Sequence, residues 1–265
     1  MKRLRLPKVG PKELHGAIQL EAEHHIPFAI DDVYLDYQVI EAAPAQDGTM
    51  DVVLVAAKKT KVDDYVAVVE EAGLNPIVVD VDSFALDNQF ELNYPGLDDE
   101  TVALIDIGAA VMKTNVIRGG ASVLVRDIAF GGSNYTNAIA QRLKITAEKA
   151  EVVKRGEDGS VKWDDVVPAL EAVSRDLSLE TQRTLDYFAS TTESERIHRI
   201  VLSGGCAKLA GLDKYLASRW GLAVEIVNPF QRIEVDPNRF AVDELAAAGP
   251  MLSVAVGLAI RRPGD

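Results

Sequence analysis

Cysteine is nearly absent from this 265-residue chain, where Cys206 stands alone. A disulfide within the chain needs two thiols and a thiolate metal site needs more, so both are excluded. Histidine is scarce. His15, His24, His25 and His198 contain no pair at the spacing that lets two imidazoles share a zinc ion on one helix. Apolar runs read as well short of the roughly 18 residues that a membrane span requires. Basic residues are outnumbered, with 28 Lys and Arg against 41 Asp and Glu, a net charge of −13. A surface of that sign repels nucleic acid and anionic lipid, so the expectation is no nucleic-acid function. The local clusters Lys58, Lys59, Lys61 and Arg261, Arg262 read as solvated edges. The N-terminal Met1-Lys2-Arg3-Leu4-Arg5 is basic, but Pro7 and Pro11 follow where a signal peptide would carry its apolar core. The setting expected is reducing and cytosolic.

What is present is ordinary for a folded protein. Apolar residues make up 48% and charged residues 26%. The length suits one large domain or two modest lobes. Leu14, Ile18, Ala22 and Ile26 recur every four residues and predict a helix that opens near Pro11 and stops at Pro27. Val33–Ile40 and Asp51–Ala57 read as strands of an antiparallel hairpin, joined by the turn-forming run from Pro44 to Thr49. Thr60, with Asp63 three residues on, reads as the capping box of a second helix that Gly73 ends. Ile77–Val79 reads as a strand and Ser83–Asn93 as a helix. The acidic linker from Tyr94 to Glu100 precedes three strands, at Val102–Gly108, Val111–Ile117 and Ser122–Phe130. Helices are expected over Ser133–Leu143, from Thr146 and over Trp163–Ser190. A buried strand at Ile200–Leu202 and an apolar helix over Pro250–Ile260 complete the pattern.

Four features carry chemistry. Asp106-Ile107-Gly108 places a carboxylate and a glycine at a strand tip. The carboxylate is of the kind that holds Mg²⁺ through water, and the glycine lets backbone N–H groups approach a phosphate. Alone, it is also the pattern of a strand-ending turn. Gly131-Gly132 opens a helix. Glu151 and Lys154 sit three apart on one helical face, which in isolation reads as a surface ion pair. Ser203-Gly204-Gly205 leads from a buried strand towards a helix containing Lys208, giving a flat surface suited to a purine.

The order and spacing of the four resemble the second half of the actin/Hsp70/FtsA fold. The finer text "EAEHHIPFAIDDVYLDYQVI", "GLNPIVVDVDSFALDNQFE", "ALIDIGAAVMKTNVIRGG", "VRDIAFGGSNYTNAIAQRL" and "RIVLSGGCAKLAGLDKYLASRWGLAVEIVNPF" is similar to the PilM family of type IV pilus assembly proteins along nearly the whole chain. The resemblance implies an α/β, actin-like ATPase (ribonuclease H-like) fold of two lobes with an inserted α/β subdomain and an incomplete first lobe. Residues 1–75 would be the FtsA-like insert, and 76–97 with 246–265 what remains of the first lobe. Residues 101–145 with 197–245 would be the second-lobe core, and 146–196 its helical subdomain. ATP and Mg²⁺ would be the ligands. Asp106 would organise the metal, Gly108 would lie on the phosphates, and Gly131 and Gly132 would open the helix beside them. Glu151 and Lys154 would face ribose and base, and Gly204, Gly205 and Lys208 would form the adenosine shelf. Asp80, or Asp82 in its place, would stand near the attacking water.

Two departures from the family pattern bear on that expectation. The family's own N-terminal hairpin, with its Asp-x-Gly phosphate loop, has no counterpart ahead of the inserted subdomain here, so weak ATP binding and an exposed sheet edge are expected. After Gly108 the family offers small hydroxyl residues to the phosphate. Here the loop reads Ala109-Ala110-Val111-Met112-Lys113, and Lys113 either meets a phosphate or points to solvent. The function implied is a cytoplasmic scaffold peripheral to the inner membrane, at most a weak ATPase, reaching the membrane only through partners. It would dock the cytoplasmic N-terminal tail of a PilN-like protein in a groove beside the inserted subdomain. It would also meet other pilus platform and motor proteins, and homo-oligomers are open. The competing readings are a small-molecule kinase or phosphatase of the same superfold and an FtsA-like division protein. The first lacks an acceptor motif in residues 1–100, and for the second Pro263 and Gly264 interrupt the expected C-terminal amphipathic helix.

Overall fold

The basic N-terminal run is a strand. β1 (Lys2–Pro7) turns Leu4 and Leu6 inward and Arg3 and Arg5 outward, the period-two pattern of a half-buried strand. It pairs antiparallel with β3 (Thr49–Lys58), which pairs antiparallel with β2 (Val33–Ile40), giving the order β1-β3-β2. Asp51 of β3 binds both arginines, at 2.7 Å from Arg3 Nη2 and 3.2 Å from Arg5 Nε. Burial opposes the charge of Asp51, but the two guanidinium groups hold its pKa below the usual range. Helix α1 (Pro11–His25) lays Ile18 and Ala22 on Leu4, Leu6, Val52 and Leu54. The computed structural model describes residues 1–40, 48–97, 99–192 and 196–262. Most of the β2–β3 turn predicted at 44–49 therefore lies outside the described residues.

Two expectations for this first unit, Met1–Val79, are corrected. Helix α2 (Lys59–Glu71) begins one residue before Thr60 and has no side-chain cap, because Asp63 accepts a 3.0 Å hydrogen bond from Tyr34 Oη instead. α2 buries none of its residues, and Tyr65 and Val68 are about two-thirds exposed. Ile77–Val79 forms no strand among the described residues. A strand exists only with a ladder partner, and Pro76 brings no N–H to one.

The second unit, Asp80–Asp265, is built on a five-stranded sheet in the order β6-β5-β4-β7-β8. β4 (Thr101–Ile107), β5 (Met112–Arg118) and β6 (Ala121–Ile128) form an antiparallel meander, turning at Gly119 and Gly120 between β5 and β6. β7 (Arg199–Ser203) lies parallel to β4, and β8 (Ala223–Ile226), unanticipated in the sequence, parallel to β7. Every residue of β4 is buried, as befits a strand covered on both faces. Ala103, Ile105, Ile107, Met112 and Val116 face one core. α4 (Gly132–Leu143), α5 (Ala147–Lys154) and the 29-residue α6 (Trp163–Thr191) complete it with Tyr135, Ile139, Val153, Val166, Val173 and Leu177. On the opposite face Val102, Leu104, Ile117 and Val201 meet Leu86 and Phe90 of α3 (Asp82–Asn93).

The region after β7 differs from expectation twice. Gly204-Gly205 opens a single 3₁₀ turn (Gly205–Lys208), and the next helix, α7 (Leu212–Trp220), starts only after Gly211. The last helix, α8 (Val242–Ala259), begins eight residues before Pro250 and runs through it. Its 18 residues have a mean hydropathy of 1.4, so one helix does reach the length and composition of a membrane span. Part of its surface is committed to protein, however. α8 packs on α3, and a Cβ on Gly257 would lie 1.8 Å from the carbonyl oxygen of Ala85.

Candidate functional site

The tips of β4 and β7 lie side by side, with Asp106 in register with Ser203. Ser203 Oγ donates to Asp106 Oδ1 at 2.8 Å. Asp106 is 9% exposed. Burial raises its carboxyl pKa and Asp82 adds to this, while the Ser203 hydroxyl and the charge of Lys113 pull against them without cancelling the rise. Lys113 stands opposite Asp106 on β5, and its Nζ lies 2.5 Å from Asp82 Oδ2 at the start of α3. It points to a carboxylate rather than to open solvent.

Backbone walls the tip. Gly108 N–H closes the turn on Val111 O at 3.0 Å. Gly132 N and Ser133 N donate to Gly108 O and Ala109 O at 2.9 and 2.8 Å, tying the start of α4 to that turn. A Cβ on Gly131 would come within 2.6 Å of both carbonyl oxygens, so a side chain there would force the two segments apart. Gly204 has φ +84°, and a Cβ on it would meet Ile107 O at 2.5 Å. Here glycine answers two demands, a left-handed backbone and a close approach. Gly205 is more open, its nearest neighbour being Met251 Cγ at 3.9 Å. Lys208 is exposed, with Nζ 4.0 Å from Met251 Sδ.

Glu151 and Lys154 are more than a surface pair. Lys154 Nζ donates to Glu151 Oε2 at 2.7 Å, Thr136 Oγ1 at 3.0 Å and Gly132 O at 3.2 Å. Its side chain is 13% exposed, and it knots α5 to the first turn of α4. Thr136 was not anticipated. It sits four residues after Gly132, on the same face of the helix, and its hydroxyl lies 2.5 Å from Glu151 Oε2. Although burial opposes it, the bonds from Lys154 and Thr136 hold the Glu151 pKa below the usual range. The nearby Cys206 thiol is pushed up to about 11, chiefly by burial, which excludes a nucleophilic thiolate at neutral pH.

Asp80 and Asp82 divide differently from expectation. Asp80 Oδ2 pairs with Arg261 Nε at 3.0 Å, its Oδ1 accepts from Val81 N–H at 2.8 Å, and its side chain is 5% exposed. Asp82 is the carboxylate whose charge reaches Asp106 and Lys113. Among the described residues, no three His, Cys, Asp or Glu side chains converge as a metal site. Asp106 offers one oxygen not already bonded to Ser203, and the charge of Lys113 acts on the carboxylate. That donor set does not fit a directly bound Mg²⁺, which demands a near-octahedral shell of oxygens. A cleft of about 200 Å³ lies at the other end of β4, against Phe90, Tyr94, Leu97 and Val102, and none of the residues above lines it.

The sequence model of the family described as type IV pilus assembly protein PilM matches residues 1–263. A solved PilM–PilN type IV pilus biogenesis complex is 31% identical, with 100% of this chain and 76% of that chain covered and a TM-score of 0.87. Ethanolamine utilization protein EutJ from Carboxydothermus hydrogenoformans is 21% identical over 73% of this chain and 58% of that one, with a TM-score of 0.54. MreB5 of Spiroplasma citri, bound to ADP, is 15% identical over 77% of this chain and 65% of that one, also at 0.54. The last two share the fold alone. The α/β architecture, with its mixed sheet and helices on both faces, is that of the actin-like ATPases, and the chain belongs to the PilM family of type IV pilus assembly proteins.

Proposed function

We propose that this chain is a nucleotide-binding scaffold on the cytoplasmic side of the pilus assembly platform, and that it docks the N-terminal tail of a PilN-type inner-membrane protein. The observation that carries the reading is the family likeness across residues 1–263, with a relative solved as a PilM–PilN complex. Under this reading residues 1–75 are the inserted subdomain, and 76–97 with 246–265 belong to the first lobe. Residues 101–145 with 197–245 are the second-lobe core, capped by 146–196. The break between compact units at Val79 falls four residues past the proposed end of the insert, and the packing of α3 on α8 supports grouping 76–97 with 246–265.

The β4 tip is the nucleotide site in this reading. Gly108 faces the phosphates, with Gly131 and Gly132 bracing its turn. Gly204 and Gly205 are the shelf for adenosine, with Lys208 at its rim, and Glu151 and Lys154 stand on the ribose side. ATP is the ligand proposed, and a resident nucleotide cousin such as the ADP of MreB5 supports the chemical class. Binding without efficient turnover follows from two contacts. Asp80, the residue assigned to the attacking water, is committed to Arg261, and Asp106 is committed to Ser203. A general base must reach the proton it removes.

The test is fluorescence anisotropy with a labelled peptide of the PilN N-terminal tail and the full chain. Micromolar, saturable binding that a scrambled peptide does not compete is expected. Absence of binding defeats the docking assignment. Calorimetry of ATP against wild type and Gly205→Val, a side chain added to the proposed adenosine shelf where nothing lies nearer than 3.9 Å, tests the nucleotide site separately, with weakened binding in the variant as the expected result.

A further inference from the structure

A row of polar side chains crosses the sheet at the β4 tip. Ser203 on β7 is in register with Asp106 on β4, Asp106 with Lys113 on β5, and Lys113 with Asp127 on β6. Neighbours in register on adjacent strands point to the same face of a sheet. The face is the one that α3 covers, and Asp82 from its first turn closes the group by pairing with Lys113 Nζ at 2.5 Å. The charges of Asp82, Asp106 and Asp127 all act on this one ammonium. Of the three, Asp82 is the one in ion-pair contact with the ammonium, and Asp106 and Asp127 flank it on the neighbouring strands. Here the cation is covalently part of the chain, and the carboxylates do not come together as a metal site.

The geometry points to Lys113 as the resident cation of this site: its ammonium, paired with Asp82 and carried on the strand position in register between Asp106 and Asp127, serves in place of a divalent ion, so that a nucleoside polyphosphate is taken up without divalent metal at Asp106. The nucleotide half of this inference rests on the reading of the β4 tip as a phosphate site. The metal half does not. Coulomb repulsion from an ammonium on the neighbouring strand works against a dication beside Asp106, and removing the ammonium leaves carboxylates with no counter-charge. Lys113 is thus a positioning and selectivity residue.

Two measurements on the full chain test it. Mn²⁺ alone is titrated into wild type, Lys113→Met and Lys113→Arg and followed by electron paramagnetic resonance. Uptake is expected in Lys113→Met only, with the arginine restoring wild-type refusal. A Mn²⁺ ion bound by wild type and lost in Asp106→Ala overturns the proposal, as does a Lys113→Met chain that binds none. In the second, affinity for a fluorescent ATP analogue is compared in Mg²⁺ and in EDTA. Wild type and Lys113→Arg should agree within about twofold between the buffers, and Lys113→Met should weaken at least about tenfold in EDTA. Metal dependence that is the same in all three chains overturns the proposal. If wild type binds no nucleotide in either buffer, the phosphate-site reading fails, and the Mn²⁺ titration still decides the role of Lys113.

Discussion

Replacing Gly257 by alanine should drive α8 off α3. The added Cβ would lie 1.8 Å from Ala85 O, 2.4 Å from its carbonyl carbon and 2.9 Å from its Cα. These are backbone atoms of a fully buried residue, so no side chain can swing aside. Ordinary contact begins near 3.4 Å, which asks for a local retreat of about 1.6 Å. A gap of even 0.5–1 Å already forfeits roughly a quarter to a half of the dispersion energy of each contact across it. Overpacking of this kind costs about 1–3 kcal/mol and at times more. Alanine returns about 1 kcal/mol, the difference in helix propensity from glycine. The upper end of the range applies, because the obstacle is rigid, and the net loss should be about 2 kcal/mol. For a unit of this size that lowers the melting temperature by about 4–8 °C. Trp163 and Trp220 are the only tryptophans, and both belong to the second unit, so their fluorescence during urea unfolding reports on the packing in question. Gly16→Ala is the control of opposite sign. Gly16 lies within α1 with nothing near its Cβ position, and the substitution should stabilise α1 by about 0.5–1 kcal/mol in far-UV circular dichroism melts. A Gly257→Ala midpoint equal to or above wild type would refute the close helix crossing.

Gly204→Ala should cost about 2–4 kcal/mol, combining left-handed strain with the contact on Ile107 O, and a thermal melt within 2 °C of wild type would count against it. Lys154→Met strips the ammonium from Glu151, Thr136 and Gly132 O; about 1–2 kcal/mol is expected, discounted because Glu151 is partly exposed, and urea midpoints measure it. Asp87 has its carboxyl pushed up to about 8 by burial, with Glu91 adding to the effect, and its Oδ1 has no hydrogen-bond partner among the described residues. The folded chain then keeps a proton that the unfolded chain releases near pH 4, so stability falls as pH rises from about 4 towards 8 and levels off above. Asp87→Asn should remove that slope, standing level with wild type at pH 4 and above it by several kcal/mol at pH 8.5; parallel slopes in urea titrations at the two pH values would exclude it.

Elements that owe their existence to their own pattern were the legible ones. The four-residue recurrence in α1, the long apolar stripe of α6 and the apolar runs of β4 and β7 predict the structure closely, because burial of one face is written into the spacing. β1 shows the same alternation over only six residues, and what Arg3 and Arg5 on that strand meet is the Asp51 carboxylate, far along the chain. Ile77–Val79 is the converse: the composition of a strand without a neighbour to complete it. At the site, the tight glycines 131 and 204 were legible as glycines, but what they approach was not. Their reason is a carbonyl oxygen of the Ile107–Ala109 turn, and which strand tip lies beside which turn is a property of sheet order. The same holds for the carboxylates. Asp80 and Asp82 are two residues apart, yet one falls to Arg261 and the other to Lys113. That division follows from where α3 begins, since Asp82 stands in its first turn while Asp80 precedes it. A residue's chemistry can therefore be proposed from its type and spacing, but its partner is set by the packing of elements that the local sequence does not name.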